Sequence, residues 1–375
     1  MPTIAYDHQI FSLQQFGGIS RYFCELAVRV PGIAGMSTQV VAPLYFNAHL
    51  ASSTAPRIGH HRPVPFRGAG RLYRWFNCTA GPAAMRRLDP QLVHWTYFKP
   101  YEAPPGTRTV VTVYDMIHEL FAKDFPASDG TSADKRRCVA AASHVICISQ
   151  STKDDLMRLF DVPPEKISVT HLGFSHAFSA PDAAPARVSH DARPYLLYVG
   201  QRQGYKGFDI ALRAYASSKA LRDDFDFVAF GGFAFGEPEA ALLRGLGLRD
   251  GSVRRVAGGD ELLAAAYRGA HAFVYPSLYE GFGIPPLEAM GCGCPVVCAN
   301  TSSLPEVVGS AAETFDPASV DALCEALERV CFDDARRATL IDAGKLRAAM
   351  FSWDRCAAET ADVYRRLLAS DRAAG

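Results

Sequence analysis

A chain of 375 residues, 49% hydrophobic and 21% charged, has the composition of a folded globular protein and exceeds what one core usually holds, so two domains are expected. The 39 basic and 39 acidic residues cancel to zero formal net charge, which removes any case for a nucleic-acid partner from bulk charge. No run is long and apolar enough to span a bilayer, and the ten scattered cysteines lack finger-type spacing, so they read as reduced, buried thiols with no metal bound.

Thr3 to Tyr6 reads as a first strand, and nothing near it has the basic region and apolar core of a secretory signal, so a cytoplasmic chain is expected. After a short loop, Gly17-Gly18-Ile19-Ser20-Arg21 opens a helix. A paired glycine at a helix start suits close approach of a diphosphate, with Arg21 as its charge partner; a plain strand-to-helix turn with a solvated arginine gives the same pattern. Gln39 to Ala42 is the second strand.

Arg57 to Leu88 differs in kind, holding seven arginines, His60 and His61 and no acidic residue, interleaved with Phe66, Tyr73, Trp75 and Phe76. The stretch reads as an electropositive, amphipathic surface suited to an anionic membrane, with Gly70 to Phe76 as a turn or two of helix bearing its rings on one side. A solvated helical face is the other reading, and no nucleic-acid motif is present.

Gln91 to Trp95 and Thr109 to Tyr114 are further strands, the second leading into Asp115 and, three residues on, His118, both candidates to line a cleft. A strand from Val145 to Ile148 precedes a helix capped by Ser149 or Ser151. Ile167 to Thr170 closes the first half. Residues 181 to 193, rich in Pro, Ala and Asp, form a linker between a domain at 1–180 and another at 194–350.

The second half opens on Tyr195 to Val199, a buried strand, and then Gly200-Gln201-Arg202-Gln203-Gly204-Tyr205-Lys206. This puts two cations at the carboxyl end of a parallel sheet, where open α/β folds bind ligands. Asp224-Phe225-Asp226 has the D-x-D pattern of metal-diphosphate sites, but it opens a strand and so falls at the wrong end of the sheet. Ala272 to Tyr275 is another buried strand, followed by a loop with Glu280, Gly281, Phe282, Gly283 and Ile284. A short helix from Pro286 to about Met290 then carries Glu288 in its first turn. Free amides at such a helix start make an anion site. The last helix runs from Trp353 to Leu368.

Glu280 and Glu288, with GFGIPPLEAM around them, resemble the E-x7-E signature of retaining glycosyltransferases of family 4. The resemblance covers nearly the whole chain. It implies the GT-B fold, an α/β architecture of two Rossmann-like domains facing a central cleft, with residues 351–375 crossing back to the N-terminal domain. It implies a nucleotide-sugar donor and no cofactor or metal. Arg202 and Lys206 would take the charge of the leaving diphosphate, and Glu280 would hold the donor sugar. Gly17, Gly18, Arg21, the 281–284 backbone and Glu288, on the ribose, would bind the rest of the donor. The histidine that members often carry before the aspartate is Tyr114 here, so that role is not transferred. Gly17 to Tyr22 and Gly200 to Lys206 most resemble mannosyl- and deoxymannosyl-transferases of bacterial O-antigen or capsule assembly. This implies a guanine nucleotide donor, a glycan or lipid-linked acceptor, and a chain peripheral on the inner face of the inner membrane. A nucleotide-sugar 2-epimerase of the same fold, and a binding protein that has lost catalysis, stay open beside it.

Overall fold

The computed structural model describes residues 1–63, 69–99, 103–179, 193–202 and 204–370. The chain separates into two compact units, Met1–Gly173 with Ser352–Gly375, and Phe174–Phe351.

The first unit is built on seven parallel strands: β1 (Thr3–Tyr6), β2 (Ser37–Tyr45), β3 (Arg57–His61), β4 (Leu92–Trp95), β5 (Arg108–Val113), β6 (His144–Cys147) and β7 (Ile167–Val169). Their order is β3-β2-β1-β4-β5-β6-β7. The inner strands are short Val/Ile-rich runs buried on both faces, as helices on either side of a parallel sheet require. β1 and β4 run parallel, and the strand order reverses between them.

The basic stretch divides into two elements not anticipated in this form. Arg57–His61 is an edge strand, and Ala69–Leu88 is one 20-residue helix. Cationic, mostly exposed side chains on an edge strand discourage pairing with another chain. Within the helix the rings divide. Trp75 and Phe76 are exposed with Leu72, while Tyr73 turns inward against Phe46 and donates to the Pro63 carbonyl at 3.1 Å. The expectation of rings on one side is therefore corrected: residues 73 and 75 lie two positions apart, about 200° around the helix, so the Tyr73 and Trp75 rings fall on opposite faces.

The last helix, Trp353–Ser370, belongs to the first unit. It lies along Gly18–Ala34, where Arg29 Nε meets Asp354 Oδ1 at 2.7 Å and Arg365 donates to the Ile33 carbonyl at 3.1 Å. Gly173 is as close as this packing permits, since a Cβ there would lie 2.2 Å from the Trp353 nitrogen. His94, fully buried on β4, bridges Tyr364 of this helix at 2.6 Å and Thr112 of β5 at 2.8 Å. Burial pulls its pKa down to about 3, so the ring is neutral and links the helix to the sheet by one donated and one accepted bond.

The second unit repeats the plan with six parallel strands: β8 (Tyr195–Val199), β9 (Asp226–Phe230), β10 (Val253–Val256), β11 (Ala272–Tyr275), β12 (Val296–Ala299) and β13 (Glu313–Phe315). The order β10-β9-β8-β11-β12-β13 places the reversal between β8 and β11. The crevice beyond the carboxyl ends of the two strands at such a reversal is where doubly wound sheets bind ligands. The expected linker lies outside the described residues except for Arg193, which donates to the Arg222 carbonyl at 3.3 Å. Asp226 is the first residue of β9. Its carboxylate is taken by Arg249 and Arg254, each at 2.8 Å, so the D-x-D pattern serves an arginine cluster at the amino end of the strand.

Candidate functional site

The reversal in the second sheet brings together the two loops singled out in the sequence. One leaves β8 and carries Arg202 and Lys206; the other leaves β11 and carries Glu280. The loops are laced together. Leu278 N donates to the Tyr205 carbonyl at 2.7 Å, and Lys206 Nζ meets Glu280 Oε1 at 2.7 Å. Gly207, in the left-handed region at φ +67°, presses against β11's exit, where a Cβ would lie 2.3 Å from the Pro276 carbonyl oxygen. Only glycine satisfies both the angle and the approach.

Glu280 is 8% exposed and held at its backbone: its amide donates to Ser302 Oγ at 2.9 Å and its carbonyl accepts from Ser303 Oγ at 2.8 Å. The same Ser303 hydroxyl reaches the Phe282 carbonyl at 2.8 Å, so one buried serine shapes both ends of the loop. Burial first, and then the Glu280 carboxylate, push the Tyr275 phenol far above its ordinary pKa, leaving a neutral hydroxyl beside the Lys206–Glu280 pair.

Gly281 and Phe282 lead to Gly283, the N-cap of Ile284–Gly291, at φ +107° with Leu304 filling the space a side chain would need. The helix starts two residues earlier than expected, with Pro285 and Pro286 both inside its first turn. Glu288 is therefore not in the first turn as expected, and it gains little from the helix dipole, whose effect falls off within that turn. It is half-buried, and Tyr267 donates to its Oε2 at 3.3 Å. Burial, then the Glu288 charge, raise the Tyr267 pKa far above normal.

Arg202 lies deeper than a loop cation should. Its side chain is 5% exposed, with Nε on Glu239 Oε1 at 2.6 Å, Nη1 on the Gly231 carbonyl at 3.1 Å and Nη2 on the Phe233 carbonyl at 2.6 Å. The guanidinium also lies 4.9 Å from the centre of the Phe235 ring. Desolvation would raise the Glu239 pKa, but the Arg202 bond, the Gly236 amide and the Arg202 charge together hold it below the usual range. Sequence reasoning missed Glu239. Its partner is 37 positions away, and its only local sign is its place at the helix start Glu237–Gly245, where it bonds the Gly236 amide.

In the first unit Gly17 is the N-cap and Gly18 the first residue of Gly18–Ala34. Nothing lies within 4 Å of a Cβ on Gly18, and a Cβ on Gly17 would meet only the movable end of Gln14, so packing does not demand either glycine. Arg21 is 4.0 Å from Glu25, one turn on. Asp115 and His118 have different neighbours. Asp115 accepts from the Ile117 amide at 3.1 Å and lies 3.9 Å from the fully buried Lys135. His118 stacks on Phe125 with ring centres 4.2 Å apart.

A residue at the first sheet's reversal was not singled out. Asp7 directly follows β1 and is fully buried. It accepts from Thr96 Oγ1 at 2.5 Å, from the Gln9 amide at 3.0 Å and from Gln9 Nε2 at 2.7 Å. Desolvation outweighs these bonds and raises its pKa to about 6. Its position just past a buried strand was the available signal. Of the cysteines near Glu288, Cys294 and Cys298 are buried and Cys292 half-buried; burial pushes Cys292 and Cys298 up to about 12.

Two doubly wound parallel sheets are the plan of GT-B sugar-transfer enzymes, and the solved glycosyltransferase structures named below share it. The model of "Glycosyltransferase Family 4" matches residues 16–178 and that of "Glycosyl transferases group 1" residues 182–347, and the chain belongs to this glycosyltransferase family. An Escherichia coli "O-antigen chain mannosyltransferase B" is 34% identical over 93% of this chain and 96% of that protein. A "D-inositol 3-phosphate glycosyltransferase" of Xylanimonas cellulosilytica is 29% identical over 81% of this chain and 73% of that one. Among solved structures, a sucrose-phosphate synthase of Thermosynechococcus elongatus superposes with a TM-score of 0.75 at 20% identity, over 99% of this chain and 100% of its own. Anabaena HepE in complex with UDP and glucose gives 0.70 at 16% identity, over 98% and 100%.

Proposed function

We propose that this glycosyltransferase moves a hexose, mannose or a deoxymannose first, from a guanosine-diphosphate donor to a glycan or lipid-linked acceptor in bacterial surface polysaccharide assembly, with retention at the anomeric carbon. The observation that carries the reading is the Lys206–Glu280 pair at the second sheet's reversal, one loop before the helix bearing Glu288. The mannosyltransferase relative supports the sugar, and the UDP complex of the HepE structure supports a nucleoside diphosphate. Residues 194–350 then handle the donor and 1–180 the acceptor.

Lys206 meets the charge that grows on the departing diphosphate, and Arg202 joins it by exchanging Glu239 for phosphate oxygens. A guanidinium favours such a bidentate exchange. The helix start at Gly281–Ile284 adds backbone donors, Glu280 orients the donor sugar, and Glu288 accepts from ribose hydroxyls. In the first unit, Gly17, Gly18 and Arg21 are the candidates for the donor phosphates, and Asp115 and His118 the candidates for the acceptor. No metal is needed where these cations supply the charge. Lys206→Ala is expected to lower kcat about a hundredfold, the loss of one charge-stabilising donor being worth roughly 3 kcal/mol. Glu288→Ala should instead weaken binding of the sugar-free nucleoside diphosphate by calorimetry. Unchanged kcat in the first variant, with unchanged affinity in the second, contradicts the assignment.

The exposed Leu72, Trp75 and Phe76, with Arg86 and Arg87 further along the same helix, support peripheral attachment to an anionic bilayer on the cytoplasmic side. No helix among the described residues is long and apolar enough to cross a membrane. Trp75→Ser should reduce co-sedimentation with vesicles containing phosphatidylglycerol. Binding that ignores both this change and lipid charge removes the membrane reading.

A further inference from the structure

Beyond the strands that flank the first sheet's reversal, the carboxyl ends of β2 and β3 open on a cavity of about 890 Å³. Its wall includes Leu13, Phe46, His61, Gly70, Arg71 and Arg74. No acidic side chain lines it among the described residues, although the whole chain carries no net charge. The cavity size falls in the range of small-molecule sites.

The frame of the cavity is rigid for reasons that can be read residue by residue. Asn77, fully buried in the helix Ala69–Leu88, accepts from the Leu44 amide at 2.9 Å and donates to Ser12 Oγ at 2.9 Å and the Leu44 carbonyl at 2.7 Å. Asn47, also fully buried, caps Ala48–Ser52 through the Leu50 amide and donates to the Gln14 carbonyl at 2.9 Å. These two amides fix the exit of β2, the loop after β1 and the long helix in one arrangement. Arg74 projects from that helix with one weak bond, Nη1 to the Ser12 carbonyl at 3.4 Å, and Arg71 is exposed a turn earlier. Leu13 and Phe46 supply an apolar side to the same space. A guanidinium pair beside an apolar wall, with no carboxylate among the described lining residues, matches an oxyanion that carries a hydrocarbon group.

We infer that this cavity takes the phosphate-bearing part of the acceptor, a phosphate or diphosphate ester. The inference rests on the glycosyltransferase reading and names the chemical class of its second substrate. The shared chemistry is the phosphate, whose source is either a lipid carrier or a free sugar phosphate. Arg71 and Arg74 bind its oxygens, and Leu13 and Phe46 receive the first carbons of an apolar ester.

The test is the rate of phenylglyoxal labelling at Arg71 in the full chain, resolved by peptide mass spectrometry, with inorganic pyrophosphate, farnesyl diphosphate or farnesol added. Pyrophosphate and farnesyl diphosphate should each slow labelling several-fold while farnesol does not. Protection by farnesyl diphosphate at lower concentration identifies a lipid carrier, and equal protection by the two identifies a free phosphate. Arg74→Gln should raise the pyrophosphate concentration needed for half-protection about tenfold, as expected for one lost bond to a charged group. Because Arg74 makes a single weak bond, its loss leaves the frame standing. No protection by either phosphate, or equal protection by farnesol, overturns the inference. Labelling needs no turnover, so that outcome with normal sugar transfer leaves the transferase reading intact, and protection without any transfer does the reverse.

Discussion

Asp7 shows how burial, and not hydrogen bonding, sets the ionisation of a single residue. It accepts several hydrogen bonds and still has a pKa near 6, above the usual 3.8. The folded state therefore holds its proton more tightly than the unfolded chain does. The stabilising contribution is complete below the unfolded pKa and is lost as pH rises through about 6. The shift corresponds to roughly 3 kcal/mol. In Asp7→Asn, this loss between pH 4 and pH 7 should vanish from denaturant-unfolding midpoints, relative to wild type. A variant with the same pH slope as wild type contradicts the assignment. Asp7 was hidden in the sequence because one acid after a strand is unremarkable until the sheet order shows that the strand borders the reversal. Glu280 was legible for the opposite reason. Glycines at 281 and 283 and prolines at 285 and 286 leave few local structures open, so the loop's shape follows from composition.

At the scale of elements, the two loops at the second sheet's reversal act as one piece. Lys206 and Glu280 were each visible in the sequence, but their pairing was not, because 74 positions separate them and only the parallel order of β8 and β11 joins their exits. Arg202 was read as a loop cation for the leaving diphosphate; in the structure its side chain is buried in the wall and bonded to Glu239. That arrangement yields a prediction. If the diphosphate must displace Glu239, then Glu239→Gln weakens the competing bond and should tighten binding of the nucleoside diphosphate several-fold, since hydrogen bonds to charged groups are worth about 1.5–3 kcal/mol. Calorimetry that finds weaker binding in this variant would make Arg202 a fixed structural brace. The edge strand β3 escaped notice because its residues are mostly exposed and therefore lack the apolar alternation by which strands are recognised. The long helix Ala69–Leu88 was underestimated because Gly70, Gly81 and Pro82 interrupt its pattern.

At the scale of the whole molecule, the sheet orders organise everything else. Each unit is wound outward from its first strand in both directions, and each reversal is bordered by the loop that follows that strand. Apolar runs punctuated by glycine made this α/β plan readable, since parallel strands buried on both faces leave little else in their sequence. The return of the last helix to the first unit was readable only through family resemblance. Its anchors are His94, buried and neutral, and Asp354, neither of which has a local signature.

The measurement that bears most directly on sugar transfer is the fate of a panel of nucleotide sugars incubated with the full chain and followed by NMR. The account predicts slow release of the nucleoside diphosphate from a mannosyl or deoxymannosyl donor, with the sugar first appearing in the donor's own anomeric configuration, and faster release once a suitable acceptor is added. Conversion of the donor to its 2-epimer, first appearance of the opposite anomer, or no turnover of any donor in the panel would contradict it.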